Sequence, residues 1–405
     1  MPHQTLSHPA RTSPKAPLAD CTLYQLSDDP YPHLARLRER APVAWFPDTG
    51  MWLVTRYDDV LAVLRDTETF TTDHPGSPIQ DIFGRQMLSI DGDLQKRYKA
   101  ACIHPFAKKS IKDGLDAVVV SKVDRLLLSF EWQGQADLRT ALTGPLSVYS
   151  VARVLGIPDE FHGMIYHWYE HFARALANFT QDADARIRGQ TAAAEFRAAM
   201  RPLLQRAAAE PDAGLFSTLV HASDRLQDEE ILSNALIILF GGIETTDSMM
   251  ANAAYALLTD RESLDRLRDD ASLWPNAIEE SLRWEPAVQS CTRFATRETE
   301  IAGIRIPAGE TVQCMIGGAN RDPARFPDPD RFDIARANAD EHLSFGIGRH
   351  LCLGAHLARA EAMAVVPTIF ARLRELRLDA EHPARPTGYE FRRPSHLKVR
   401  WTVTG

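Results

Sequence analysis

The chain has 405 residues, 44% hydrophobic and 25% charged, with 54 Asp and Glu against 46 Lys and Arg for a formal charge of −8. These proportions suit a soluble globular protein and exclude disordered, collagenous and fibrous classes, and the acidic balance gives no footing for nucleic acid. The longest strongly apolar stretch, residues 235–243, is about half of the roughly 20 residues a membrane-spanning helix needs, which excludes an integral membrane protein.

Residues 1–20, rich in Pro, His and Ser and without an apolar segment, read as a flexible tail ahead of one domain over 21–405. With no secretory signal, the expected location is cytoplasmic. Five scattered cysteines without a CxxC pair fit a reducing compartment and leave at least one thiol free. Residues 31–41 have helical spacing, and Met51-Trp-Leu-Val-Thr reads as a strand followed by a helix over 58–66. Residues 71–93 carry Gly, Pro and Asp throughout and predict a long loop, a length uncommon in compact domains unless it serves a function. From 94 to about 242 the apolar spacing is near 3.6, with breaks at Gly144-Pro145, Gly156-Ile157-Pro158, Glu210-Pro211 and Ser223-Asp224. One very long helix is expected over 228–259, although Gly241-Gly242 in its middle costs roughly 1 kcal/mol per glycine relative to alanine. After Trp284 the pattern changes: 299–312 alternates around Gly303 and Pro307-Ala308-Gly309 as short strands do, 321–336 is irregular, and a helix follows over 353–373. The fold class is mainly α with a small β part.

Cys352 stands where a glycine-rich loop meets the first turn of that last helix, where unpaired N–H groups and the helix dipole stabilise a thiolate. Such a thiolate is a nucleophile or a metal ligand. Zinc held by His350, Cys352 and His356 lacks a fourth ligand nearby, whereas a rigid glycine loop that lets backbone approach a macrocycle suits a single axial ligand to haem iron. Phe345-Gly346-x-Gly348-x-His350-x-Cys352-x-Gly354 resembles the haem-binding loop of the cytochrome P450 family at every signature position.

That resemblance implies a single-domain P450 fold, a triangular helical prism around haem b, with Cys352 as axial iron ligand, Phe345 beside the sulfur, and Gly346, Gly348 and Gly354 shaping the loop. It assigns His350 and Arg293 to the haem propionates, and Glu280, Arg283 and Arg331 to a structural triad. Where family members usually carry His and Arg before Phe106, this chain has Gln95 and Lys99; Lys99 is the remaining carboxylate donor there. Gly241-Gly242-Ile-Glu244-Thr245-Thr246 resembles the family's central-helix signature, a local opening beside the iron, which makes Thr245 the hydroxyl that steers protons to dioxygen and Glu244 the acid that connects it to solvent. The substrate pocket is expected around Phe83, Met87, Leu239, Gly242, Val288 and Gln289, largely apolar.

Lys96, Arg97, Lys99, Lys108, Lys109 and Lys112 form a basic stretch that by itself reads as a solvated helical face; the family resemblance implies that it steers an external electron donor, a ferredoxin or flavodoxin served by an NAD(P)H reductase. The function implied is O2-dependent hydroxylation or oxidative dealkylation of a small organic molecule. The alternatives are radical C–C or aryl coupling without oxygen insertion, and a haem sensor without catalysis.

Overall fold

The computed structural model describes residues 17–179 and 181–403. The expected tail lies outside the described residues as far as 16. Residues 17–20 are tied down instead, with Ala19 N–H donating to Trp45 O and Trp45 N–H to Pro17 O, both at 2.8 Å.

The β part is a five-stranded sheet assembled from distant segments. Strands β1 (Val43–Phe46), β2 (Met51–Val54), β3 (Phe70–Thr71), β4 (Ser290–Ala295) and β5 (Thr311–Met315) lie in the order β1-β2-β5-β4-β3. The β2–β5 pair is parallel and the others antiparallel. The alternating run around Gly303 makes a separate ribbon, Thr299–Ile301 with Ile304–Ile306, turning through Ala302 and Gly303 at positive φ.

The helices that shape the site are α1 (Tyr31–Arg40), α2 (Tyr57–Arg65), α3 (Pro78–Phe83), α4 (Gly92–Cys102), α5 (Asp116–Phe130), α6 (Gly144–Leu155), α7 (His162–Leu176), α8 (Ala183–Ala209), α9 (Asp228–Thr259), α10 (Trp274–Trp284) and α11 (Ala355–Arg372). The expected loop over 71–93 is interrupted by α3 and ends in α4. Ser77 caps α3 with Pro78 at its first position, and Phe83 is fully buried with its ring 5.0 Å from Phe172 and 5.8 Å from Phe240. Burial of that one ring overrides the weak local pattern.

Helix α9 has the predicted bounds. Gln227 and Glu230 cap its start reciprocally, and Asp228, Glu229 and Glu230 complement the dipole there. Its N-terminal half, to Ile243, packs into one apolar cluster with α6, α7 and α8; from Met249 it packs into a second with α5, α10 and α11. Between them lies a polar band, Glu244 to Ser248, in which four residues are buried and Thr245 alone keeps accessible surface. The helix is continuous through Gly241-Gly242, and there Thr245 Oγ1 donates to Gly241 O at 2.6 Å, and Ser248 Oγ to Glu244 O at 2.6 Å. Those hydroxyls satisfy themselves on the preceding turn, so polar side chains sit in a buried helix without orphaned donors.

Candidate active site

Helix α11 begins at Ala355 with Gly354 as N-cap, two residues past Cys352. The chain reaches it through Gly346 (φ 65°) and Gly348 (φ 69°), in the left-handed region that favours glycine, and Cys352 N–H donates to Phe345 O at 2.8 Å. Desolvation raises the Cys352 thiol, while backbone N–H groups of Gly354 and Ala355, with Lys99 and Arg359, pull the other way. Cys352 is nonetheless the one exposed thiol of the five.

Helix α4 grips this loop from one side. Lys99 Nζ donates to Arg349 O and Leu351 O at 2.7 Å each, and Gln95 Nε2 to Arg349 O at 3.2 Å, leaving Gln95 Oε1 buried without a partner. Lys99, expected at a propionate, spends two of its three N–H groups on loop carbonyls and is a clamp. His350 Nε2 lies 2.8 Å from Asp91 Oδ1. Asp91 also accepts from Thr71 Oγ1 and Thr72 N–H at 2.7 Å, and against desolvation these partners hold its carboxyl far below the usual range. Arg293, buried on β4, donates to Thr292 O at 2.8 Å and has no ion-pair partner among the described residues.

Phe345 carries the Arg359 guanidinium 4.5 Å from its ring centroid. Arg359 makes a two-pronged pair with Glu279 at 2.6 and 2.7 Å, and His342 Nε2 lies 3.1 Å from the same carboxylate. Against desolvation, these donors hold Glu279 at about 2.

Beneath the loop, Glu280 and Arg283 of α10 are fully buried and doubly bonded at 2.7 and 2.8 Å. The residue that completes this cluster is Arg336, whose Nε lies 3.1 Å from both Glu280 oxygens. Arg331, expected in that role, is exposed and contributes only its carbonyl, which accepts from Arg283 and Arg336. Arg283 also donates to Asn320 O at 2.9 Å; Asn320 in turn bonds Leu343 N–H and Ser344 Oγ, both at 2.8 Å, at the entrance of the Cys352 loop. The cluster therefore fixes the loop through one asparagine.

On α9, a Cβ added at Gly241 would meet nothing within 4 Å, whereas one at Gly242 would lie 2.8 Å from Val151. Gly241, not Gly242, faces open space, and Gly242 serves helix packing against α6. Glu244 is buried, pairs with Arg393 at 2.7 Å and accepts from Tyr169 OH. Arg393 reaches Tyr169 OH at 2.9 Å, and the polar chain continues through Asp247 to Arg139, 2.5 Å apart. Tyr169, Arg393 and Arg336 carried no motif in the sequence.

Of the expected pocket residues, Phe83 and Leu239 are fully buried and Met87 nearly so. Val288 keeps accessible surface. Gln289 does not face the cavity: its amide donates to Tyr31 OH at 3.2 Å and Pro286 O at 2.9 Å, drawn toward Glu285.

The cytochrome P450 family model matches residues 161–387. The chain is 35% identical over 392 residues to the cytochrome P450 monooxygenase PikC of Streptomyces venezuelae, covering 92% of this chain and 91% of that protein. This chain belongs to the cytochrome P450 family. It is 32% identical to the 6-deoxyerythronolide B hydroxylase of Saccharopolyspora erythraea over 92% of this chain and 96% of that one. A Bacillus megaterium cytochrome P450 in complex with testosterone superposes with a TM-score of 0.88 at 28% identity, over 95% of this chain and all of that one.

As a member, this P450 is an oxidoreductase that uses haem b and O2 to oxidise an organic substrate, with electrons from an external ferredoxin or flavodoxin system. Among the described residues no helix is long and apolar enough to cross a membrane. The residues present fit the cofactor: an accessible sulfur at a helix start, a buried arginine without a counter-ion, and a glycine-lined open face on α9. When bound, haem b would supply the iron at which O2 is activated by two electrons and two protons, with the Cys352 sulfur the group placed to hold it. The protein's part is to hold the sulfur, balance the propionate charge, exclude water and deliver protons.

Proposed function

We propose that Cys352 is the axial ligand, that Arg293 and His350 face the propionates while Lys99 and Gln95 hold the loop, and that Glu244 and Thr245 deliver protons for insertion of one oxygen atom. The observation that carries this reading is the polar band of α9. Thr245 is its one accessible side chain, it sits one turn from the open face at Gly241, and Glu244 beside it begins a polar chain through Tyr169, Arg393 and Asp247 to Arg139. Burial and the neighbouring Glu244 charge raise the Tyr169 phenol strongly, so it stays a donor at neutral pH. Thr245 Oγ1 has its hydrogen on Gly241 O and its lone pairs free for a donor in the cavity.

General acid contributions of this kind run to about 100-fold or more. Thr245→Ala is expected to keep reductant and O2 consumption while the fraction of reductant recovered as product falls about tenfold or more. Coupling equal to wild type would remove Thr245 from the mechanism.

We place the electron donor on the face carrying Lys108, Lys109 and Lys112. Lys96 and Arg97 are paired with Asp93 and Asp224, whereas these three lysines have no ion-pair partner among the described residues. Lys108 and Lys112 border a surface cavity of about 380 Å³ shared with His356 and Arg359 of α11, the helix that starts beside Cys352. Charge reversal of Lys108 and Lys112 is expected to slow reduction by a ferredoxin about tenfold at low salt and to flatten its salt dependence; unchanged kinetics would move the docking site elsewhere. The free cysteines support a cytoplasmic location for one catalytic domain over 21–405.

A further inference from the structure

The segment around Glu390 is pinned against residues 287–289. Gln289 N–H donates to Glu390 O at 2.8 Å, Arg392 N–H to Ala287 O at 2.9 Å, and Val288 bridges Phe391. Phe391 places its ring 5.5 Å from Phe240, the residue before Gly241, while Tyr389 packs behind on Phe46 and Phe179. The turn is tight: Gly388 has φ 124°, and a Cβ there would fall 2.0 Å from Phe391 O.

Glu390 is therefore held in place, and its carboxylate has no hydrogen-bond or ion-pair partner among the described residues. The contrast with its surroundings is sharp: Glu244 pairs with Arg393, Glu285 with Arg392, Glu279 with Arg359 and Glu280 with Arg283. The arginines that follow Glu390 cannot neutralise it. Arg392 is committed to Glu285, Ser27 O and Asp28 O, and Arg393 to Glu244 and Tyr169. Desolvation pushes the Glu390 carboxyl up to about 7, yet the residue keeps accessible surface, as do Val288, Cys291 and Phe391 around it. Its carboxylate keeps accessible surface among these residues, and an unpaired carboxylate so placed is costly unless a ligand supplies the counter-charge.

We propose that Glu390 is the specificity-determining residue of the substrate cavity and that the substrate carries a cationic nitrogen, a protonated amine or quaternary ammonium, on an otherwise apolar body. This rests on the monooxygenase reading of the cavity. The Phe391 ring, next in the chain and 5.5 Å from that of Phe240, suits the same cation, since aromatic faces attract it. A carboxylate also rejects anionic molecules of similar shape, which makes it a filter as well as an anchor.

Three probes with one hydrocarbon chain test this: decyltrimethylammonium, 1-decanol and decanoate, measured by equilibrium dialysis against the haem-loaded protein and by the ferric spin-state shift. A quaternary nitrogen cannot ligate iron, so its binding reports the cavity alone. Wild type is expected to bind the cation about tenfold or more tighter than the alcohol, and decanoate most weakly. Glu390→Gln is expected to erase the preference, and Glu390→Asp to keep it. The same ranking and affinities in wild type and Glu390→Gln, or a wild-type preference for decanoate, would overturn the proposal. The reduced-CO spectrum of the same samples tests the haem-thiolate reading separately: a thiolate spectrum with charge-blind binding removes the substrate class and leaves the enzyme standing.

Discussion

Arg283→Ala is expected to destabilise the protein by about 3–5 kcal/mol and to lower its haem content, whereas Arg331→Ala should change stability by less than about 0.5 kcal/mol. Arg283 is fully buried and donates to both Glu280 oxygens, to Asn320 O, to Pro329 O and to Arg331 O. Deleting it leaves Glu280 with Arg336 and Asp333 N–H as partners and takes the donor from the buried Asn320 O and the part-buried Pro329 O, while Arg331 O keeps Arg336. Because Asn320 ties this cluster to Leu343 and Ser344, the loss propagates to the loop that positions Cys352. Arg336→Ala should resemble Arg283→Ala, since Arg336 Nε bonds the same carboxylate and its other nitrogens hold Pro327 O and Asp328 O. Denaturant unfolding followed by tryptophan fluorescence, with haem content from absorbance, measures all three. A large loss in Arg331→Ala with none in Arg336→Ala would return the role to Arg331.

A second large effect comes from Glu361 on α11, nearly fully buried, with Oε1 lacking a partner. Desolvation pushes this carboxyl up from an ordinary 4.5 to about 8, and the neighbouring Ser150 hydroxyl offsets a small part. Below pH 4.5 folded and unfolded chains both hold the proton. As pH rises the unfolded chain releases it first, so stability falls by about 1.4 kcal/mol per pH unit until the folded carboxyl also titrates near pH 8. Glu361→Gln keeps the shape without the titration. It should match wild type near pH 4.5 and exceed it by about 3 kcal/mol at pH 7, the gap levelling off above pH 8. Unfolding free energies of the two proteins across pH 5–9 decide the matter, and parallel profiles would show that Glu361 is not the protonated acid described.

How far the sequence can be read is clear from individual residues. Helix α9 was legible because an acidic first turn leads into the apolar run 235–243, and the Cys352 loop because glycines at fixed spacing admit few geometries. Arg336 was not: the segment 321–336 has no period from which to tell which arginine turns inward. Helix α3 hides among glycines and prolines because its stability comes from burying Phe83 against residues far along the chain. Gln289 turns away from the cavity because Tyr31 and Pro286 offer its amide better partners. Tyr169, Glu390 and Arg393 acquire their surroundings when a C-terminal segment is laid against α7 and α9, and no local pattern announces that.

The central claim is that Cys352 is the thiolate that holds haem iron. The most direct test is the absorption spectrum of the dithionite-reduced, CO-saturated protein, compared with Cys352→His. Wild type is expected to show the long-wavelength Soret band of a haem-thiolate and the variant to lose it, with haem still bound through Arg293 and the surrounding residues. A wild-type spectrum of imidazole type, or one that Cys352→His leaves unchanged, would contradict it.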